Sequence, residues 1–268
     1  MLQLDQLVPP VADIARAAGE VILEIYQAAA PDPEGGLLAY KADDSPLTRA
    51  DVAAHALIAA RLSALDTVWP VVSEEDVASL AHRRSPGTFW LVDPLDGTKE
   101  FLARNGEFTV NIALVSDGVA VLGVVYAPVL DQLYWGGRGV AACRADNGRV
   151  LPIRVAEPVP DGATWRVVAS KSHLNAETSA FIAKLGTHAL VQAGSSLKLC
   201  RVAEGTADVY PRLAPTCEWD TAAAQAVLEA AGGVVCDVGG AALRYGKTEL
   251  LNPHFIAASS LAGLPIPA

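Results

Sequence analysis

Acidic residues stand at the ends of apolar runs in this chain. Glu74 and Glu75 close VVSEE, Asp93 and Asp96 interrupt WLVDPLDGTKEF at 90–101, and Asp220 follows CEW. If Glu74, Asp93, Asp96 and Asp220 converge, their repulsion must be relieved by proton uptake, which raises pKa values, or by a cation. No Lys or Arg lies within the DPLDGT turn itself. Carboxylate and carbonyl oxygens without His or Cys favour magnesium or manganese over zinc.

The turn between the two aspartates has the residues to shape such a site. Pro94 holds Asp93 extended and withdraws a backbone donor, so that Asp93, Asp96 and the Leu95 carbonyl can aim at one point. Gly97 lets an anion approach the backbone, and a helix starting near it would present free N–H groups. A plainer reading makes Asp96 only the N-cap of that helix, and Asp51 only a first-turn helix acid. DPLDG lacks the alternating ligands of an EF-hand. Glu75 and Asp76 read as solvated charges.

The elements that must position these acids follow from periodicity. Val11, Ile14, Ala18, Ile22 and Ile25 predict a first helix ending near Ala30, followed by a PDPEGG loop. A second helix fits Ala50–Leu65, started near Thr48 or Arg49. Strands are predicted at 67–73, 89–92, 108–115, 119–126 and 132–135, with Asp117-Gly118 as a hairpin turn. Helices packed on a mostly antiparallel sheet therefore form the first part.

EPVPDGA at 157–163 marks a boundary, giving an N-terminal subdomain over 1–156 and a C-terminal α/β subdomain over 157–268 that contributes Asp220 and substrate contacts. In the second part strands are expected at 166–170, 208–210 and 234–238. Helices are expected at 175–185, 196–204 and 221–231, the last closed by Gly232-Gly233.

Composition narrows the function. The chain has 268 residues, 51% hydrophobic and 19% charged, with a net charge of -10. That charge argues against nucleic acid and anionic membrane as partners, and an anionic ligand needs a local positive source. The four cysteines stand apart with no C-x-x-C pair, as expected of reduced thiols in the cytoplasm. No signal peptide or membrane-spanning run is visible. The five histidines, His173 in SKSH among them, lie near no nucleophile motif. Nothing in the pattern assigns an oligomeric state.

VSEE at 72–75, WLVDPLDGTKEF at 90–101 and EWDTAA at 218–223, in that order, resemble the magnesium-dependent inositol monophosphatase-like superfamily. KADDSPLTRAD (41–51), NGEFTVNIALV (105–115), GSSLK (194–198), YPRLAPT (210–216) and LNP (251–253) look like its CysQ-type branch, the 3'(2'),5'-bisphosphate nucleotidases. The resemblance implies a layered αβαβα sandwich, α/β (α+β) in class, of the inositol monophosphatase/fructose-1,6-bisphosphatase type. It implies metal ligation by Glu74, Asp93, Asp96, Asp220 and the Leu95 carbonyl, and a water-activating pair, Asp51 and Thr98, with Glu74 also catalytic. Roughly two or three Mg²⁺ ions, about 3.5–4 Å apart, would clamp the attacking and leaving oxygens, with Mn²⁺ as a substitute. Sensitivity to lithium and peripheral association with an inner membrane are further implications.

The implied substrate is a small bisphosphorylated nucleotide, adenosine 3',5'-bisphosphate, with a link to sulfur assimilation. It would touch Glu74, Leu95, Asp96, Gly97, Thr98 and Asp220. Lys99-Glu100-Phe101 after DGT favours this branch over inositol monophosphatases. Lys198 and Arg212 are the candidate cations for the second phosphate, against a solvated Lys198 and an Arg212 paired with Glu218. Ser195 and Ser196 are expected to cap the next helix and touch the ligand. The rival readings are a sugar phosphatase and a non-catalytic nucleotide-binding regulator that keeps the metal site.

Overall fold

The structure is a computed structural model that describes residues 3–28, 38–40, 46–84, 86–169 and 175–266. The PDPEGG loop, Ala30, Ser170 and His173 lie outside the described residues. Helix α1 (Leu4–Ala28) begins earlier than the apolar stripe suggests and carries Pro9 and Pro10. Strands β1 (Leu38–Tyr40) and β2 (Pro46–Thr48) pair ahead of α2 (Arg49–Ser63).

The main sheet has seven strands, in the order β3 (Val71–Ser73), β4 (Thr88–Asp96), β5 (Thr109–Ser116), β6 (Val119–Ala127), β7 (Gln132–Gly137), β8 (Val140–Asp146) and β9 (Arg149–Pro152). Only the β3–β4 pairing is parallel. Strand β3 is shorter than the 67–73 run predicts, and the loop before it holds Pro70. Asp117 and Gly118 both have positive φ, the geometry of a type I′ turn.

Strand alternation sorts the core into layers. Trp90, Val92, Ile112 and Leu114 face α1 and α2, while Phe89, Leu91, Ala113 and Val115 face the opposite side. There α6 (Ala222–Ala230) lies across the sheet's face, with α5 (Leu197–Ala203) packed beside α6 in the same core, while α3 (Thr98–Leu102) turns its Phe101 into the α1 and α2 side. Gly123 lets α6 lie against β6, because a Cβ there would run into the Ala223 carbonyl. Gly232, with φ 97, closes α6 as expected.

Beyond α5 and α6 lies a five-stranded sheet in the order β11 (His188–Gln192), β10 (Trp165–Ala169), β12 (Val209–Arg212), β14 (Phe255–Ala258) and β13 (Val234–Asp237). Its inner residues Val168, Tyr210, Phe255 and Ala257 join the core beneath α5 and α6. Its outer residues Val167, Val209 and Ile256 meet α4 (Ala176–Lys184), capped by Asn175. The layers therefore run helix, sheet, helix, sheet, helix: the αβαβα sandwich.

A polar network ties β7 and β8 to α5. Glu204 accepts from Arg201 at 2.7 Å and from Tyr134 and Arg144 at 2.9 Å each. Arg144 also pairs with Asp146.

Candidate active site

Strand β4 does not stop at Val92, as the sequence suggests, but continues through Pro94 to Asp96. Asp93 faces Asn111 on β5 and Asp96 faces Thr109, so the ladder shifts register between them. In a regular strand residues three apart point to opposite faces; one extra residue in β4 returns Asp96 to the side of Asp93. Pro94 is tolerated because it falls in this irregularity, where the ladder needs no donor from it. Asp96 therefore ends the strand, and Gly97, with φ 92, takes the N-cap position of α3 without a side-chain cap. The N-cap reading of Asp96 is corrected accordingly.

Glu74, Asp93 and Asp220 place carboxylate oxygens within 4.8 Å of one another. They come from the end of β3, from β4, and from a 3-10 turn, Glu218–Asp220, that precedes α6. Asp93 is buried, and its Oδ1 accepts from the Leu95 amide at 3.1 Å. Asp220 Oδ2 accepts from the Cys217 amide at 2.8 Å. Asp96 stands beside the triple, its Oδ2 held by the Ser196 amide at 2.7 Å and by Asn111 Nδ2 at 3.4 Å.

Asp220 and Asp96 do not ionise as ordinary carboxylates. Burial, then the negative charges of Asp96 and Glu74, pushes the Asp220 carboxyl up to about 8. Burial likewise raises Asp96 to about 6, with Lys198 pulling the other way. A divalent cation would relieve what protonation otherwise must. Buried, crowded and oxygen-only, the donor set fits a hard cation.

Asp51 is 1% exposed and serves two partners. Its Oδ2 accepts the Thr48 amide at 2.7 Å and the Thr48 hydroxyl at 2.6 Å, completing a capping box on α2. Its Oδ1 accepts the Thr98 hydroxyl at 3.4 Å. The capping reading of Asp51 and its pairing with Thr98 thus hold together, one oxygen each.

A cleft of about 370 Å³ contains Glu74, Asp96, Gly97, Thr98 and Asp220 together with Lys198 and Arg212. That volume suits a small molecule, for which pockets run roughly 300–1,000 Å³. Lys198 is buried instead of solvated, its Nζ 5.7 Å from the centre of the Tyr210 ring. Burial lowers its pKa and the nearby Asp96 opposes the shift. Arg212 donates to the Pro215 carbonyl at 2.9 Å, and its buried Nε has no hydrogen-bond partner among the described residues.

Arg212 does not pair with Glu218. Glu218 is fully buried and forms ion pairs with Arg83 at 2.9 Å and Lys247 at 2.5 Å, which are remote in sequence. Asp76, expected to be solvated, instead caps the turn Val77–His82 through Ala78 and Ser79 amides.

Ser195 and Ser196 do not cap α5 through their side chains. Ser195, with φ 47, bridges the Asp96 and Glu107 carbonyls at 2.8 Å each, and a Cβ on Gly97 would clash with its hydroxyl. Gly97 is thus required for the crossing of Ser195 as well as for the turn. Ser196 Oγ joins Thr109 at 2.8 Å and Asn111 at 2.6 Å. Thr109 and Asn111 were not singled out from the sequence; the signal was there, since both are polar in the apolar run TVNIALV.

The chain belongs to the inositol monophosphatase family, whose model matches residues 3–264. This family is metal-dependent. The chain is 47% identical to the 3'(2'),5'-bisphosphate nucleotidase CysQ of Salmonella typhimurium, over 91% of its length and 96% of the relative's. It is 33% identical to the protein of the same name from Haemophilus influenzae, over 96% of this chain and 94% of the other. The crystal structure of CysQ from Bacteroides thetaiotaomicron superposes with a TM-score of 0.80 at 45% identity, covering 94% of this chain and 97% of the other. An inositol monophosphatase from Anabaena shares the fold at a TM-score of 0.72 and 24% identity, over 97% and 92%. No helix among the described residues is long and apolar enough to cross a membrane.

Proposed function

We propose that this chain is a 3'(2'),5'-bisphosphate nucleotidase that hydrolyses the 3'-phosphate of adenosine 3',5'-bisphosphate to AMP and phosphate. 3'-Phosphoadenosine 5'-phosphosulfate is a second substrate, which links the enzyme to sulfur assimilation in the cytoplasm. The observation that carries this reading is the convergence of Glu74, Asp93 and Asp220 at the edge of a cleft that Glu74 and Asp220 line and that also presents Lys198 and Arg212. One phosphate then meets the acid site while a second meets fixed positive charge. The full-length similarity to proteins named bisphosphate nucleotidase supports the same substrate class.

Glu74, Asp93, Asp96, Asp220 and the Leu95 carbonyl would hold roughly two or three Mg²⁺ ions, with Mn²⁺ able to substitute. When bound, these ions supply Lewis-acid stabilisation of phosphoryl oxygens and acidify water. Thr98 and Asp51 orient the attacking water, and Asp51 Oδ1 takes its proton through the Thr98 hydroxyl. The Thr48 bonds to Asp51 Oδ2 keep that carboxylate from turning away. Lys198 and Arg212 bind the 5'-phosphate by charge-assisted hydrogen bonds. Residues 1–156 supply most of the acid site and residues 157–268 add Asp220 and the two cations, so substrate lies between two subdomains.

Phosphate release from adenosine 3',5'-bisphosphate is the test, with and without EDTA. Activity that survives full chelation would sink the mechanism. A higher kcat/KM for inositol 1-phosphate or fructose 1,6-bisphosphate would overturn the substrate assignment.

A further inference from the structure

Glu218 takes no part in the chemistry above, yet it is fully buried two positions before Asp220 and both of its oxygens are engaged. Oε2 accepts the Gly246 amide at 2.8 Å and faces Arg83 Nη1 at 2.9 Å; Oε1 accepts the Lys247 amide at 3.2 Å and its Nζ at 2.5 Å. Arg83 follows the turn Val77–His82, which leaves from Glu74, and is itself buried, with Nη2 on the Thr248 carbonyl at 3.4 Å. Lys247 Nζ also reaches the Arg244 carbonyl at 2.7 Å. The same strap returns through Asn252, whose Nδ2 donates to the Cys217 carbonyl at 2.7 Å and Thr221 Oγ1 at 3.0 Å. Three chain segments, the one leaving Glu74, the one bearing Asp220 and the one at 244–252, are therefore joined at a single carboxylate.

We propose that Glu218 is a positioning residue that sets the spacing of Asp220 from Glu74 and thereby the cation affinity of the site; this rests on reading Glu74 and Asp220 as cation ligands. A buried ion pair adds little net stability, because desolvation of both charges offsets their attraction, but it holds one arrangement against others. Such an arrangement is what Glu74 and Asp220 need, since with both ionised they repel unless a cation joins them. Partners behind metal ligands typically change metal affinity roughly 10–100-fold when lost.

The test titrates Mn²⁺ alone into metal-free wild type, Glu218→Gln, Lys247→Met and Asp220→Asn. Free ion is read by electron paramagnetic resonance and folding by circular dichroism. Glu218→Gln is expected to bind Mn²⁺ roughly 10–100-fold more weakly, and Lys247→Met to weaken it by a smaller factor. At saturating Mg²⁺ the nucleotide KM of both stays within about twofold of wild type, which separates a cation effect from a substrate effect. Folded Glu218→Gln with wild-type Mn²⁺ affinity overturns the inference while Asp220→Asn still loses the ion. If Asp220→Asn also binds normally, the ligand reading itself falls, and the inference with it. Should Glu218→Gln fail to fold, unchanged affinity in Lys247→Met overturns the proposal.

Discussion

Thr98 donates its hydroxyl to Asp51 Oδ1 across 3.4 Å, from a helix start in one segment to a helix start in another. Asp51→Asn keeps the cap on α2 but removes the proton acceptor. Its kcat is expected to fall by roughly 10²–10⁴, the usual contribution of a general base, with KM little changed. Asp51→Ala should lose in addition about 1 kcal/mol of stability with the cap. Steady-state kinetics and urea melts separate the two effects.

Asp220→Asn removes one of the mutually repelling acids. Without divalent ion it is expected to melt no lower than wild type. Added Mg²⁺ should stabilise wild type by about 2.7 kcal/mol at a hundredfold excess over Kd and leave the variant unmoved. Differential scanning calorimetry with and without EDTA checks this.

Lys198→Met and Arg212→Ala address the second phosphate. A hydrogen bond to a charged group contributes about 1.5–3 kcal/mol, so kcat/KM for adenosine 3',5'-bisphosphate should drop about 10–150-fold. Hydrolysis of a monophosphate such as inositol 1-phosphate should change far less. Equal losses on both substrates would place these cations at the reacting phosphate instead.

Glu204 gives a pH signature away from the site. Burial pushes its carboxyl up, but bonds from Arg201, Tyr134 and Arg144 outweigh this and hold it below the usual 4.5. The stabilisation is complete above that ordinary value and is lost as pH falls through the lowered folded one. Glu204→Gln should thus cost about 3–5 kcal/mol at pH 7, as for a broken buried pair. The gap from wild type should narrow in melts run below about pH 4.

What the sequence made legible was the set of acids and the layers that carry them, because strand alternation and motif order are local. Strand β4 was cut short at Val92 because Asp-Pro-x-Asp reads as a strand end, and only the pairing with β5 shows the ladder resuming. Strand β9 gave no signal, since all four of its residues are exposed and none alternates. The partners of Glu218 were missed for a different reason: Arg212 is near in sequence, whereas Arg83 and Lys247 reach it only through the fold. Ser195 and Ser196 look like caps, and only tertiary packing turns them onto Asp96.

The register shift in β4 makes the D-x-x-D spacing a matter of parity. Removing Leu95 would let the two strands pair evenly but leave Asp93 and the next acid adjacent by one pleat, without the wide step that carries the chain into Gly97. Inserting one residue would send Asp96 toward α1 and α2, into a layer built of Trp90, Val92 and Ile112. This stretch should therefore accept neither length change: it behaves as a ruler, and its tolerance to indels is set by counting.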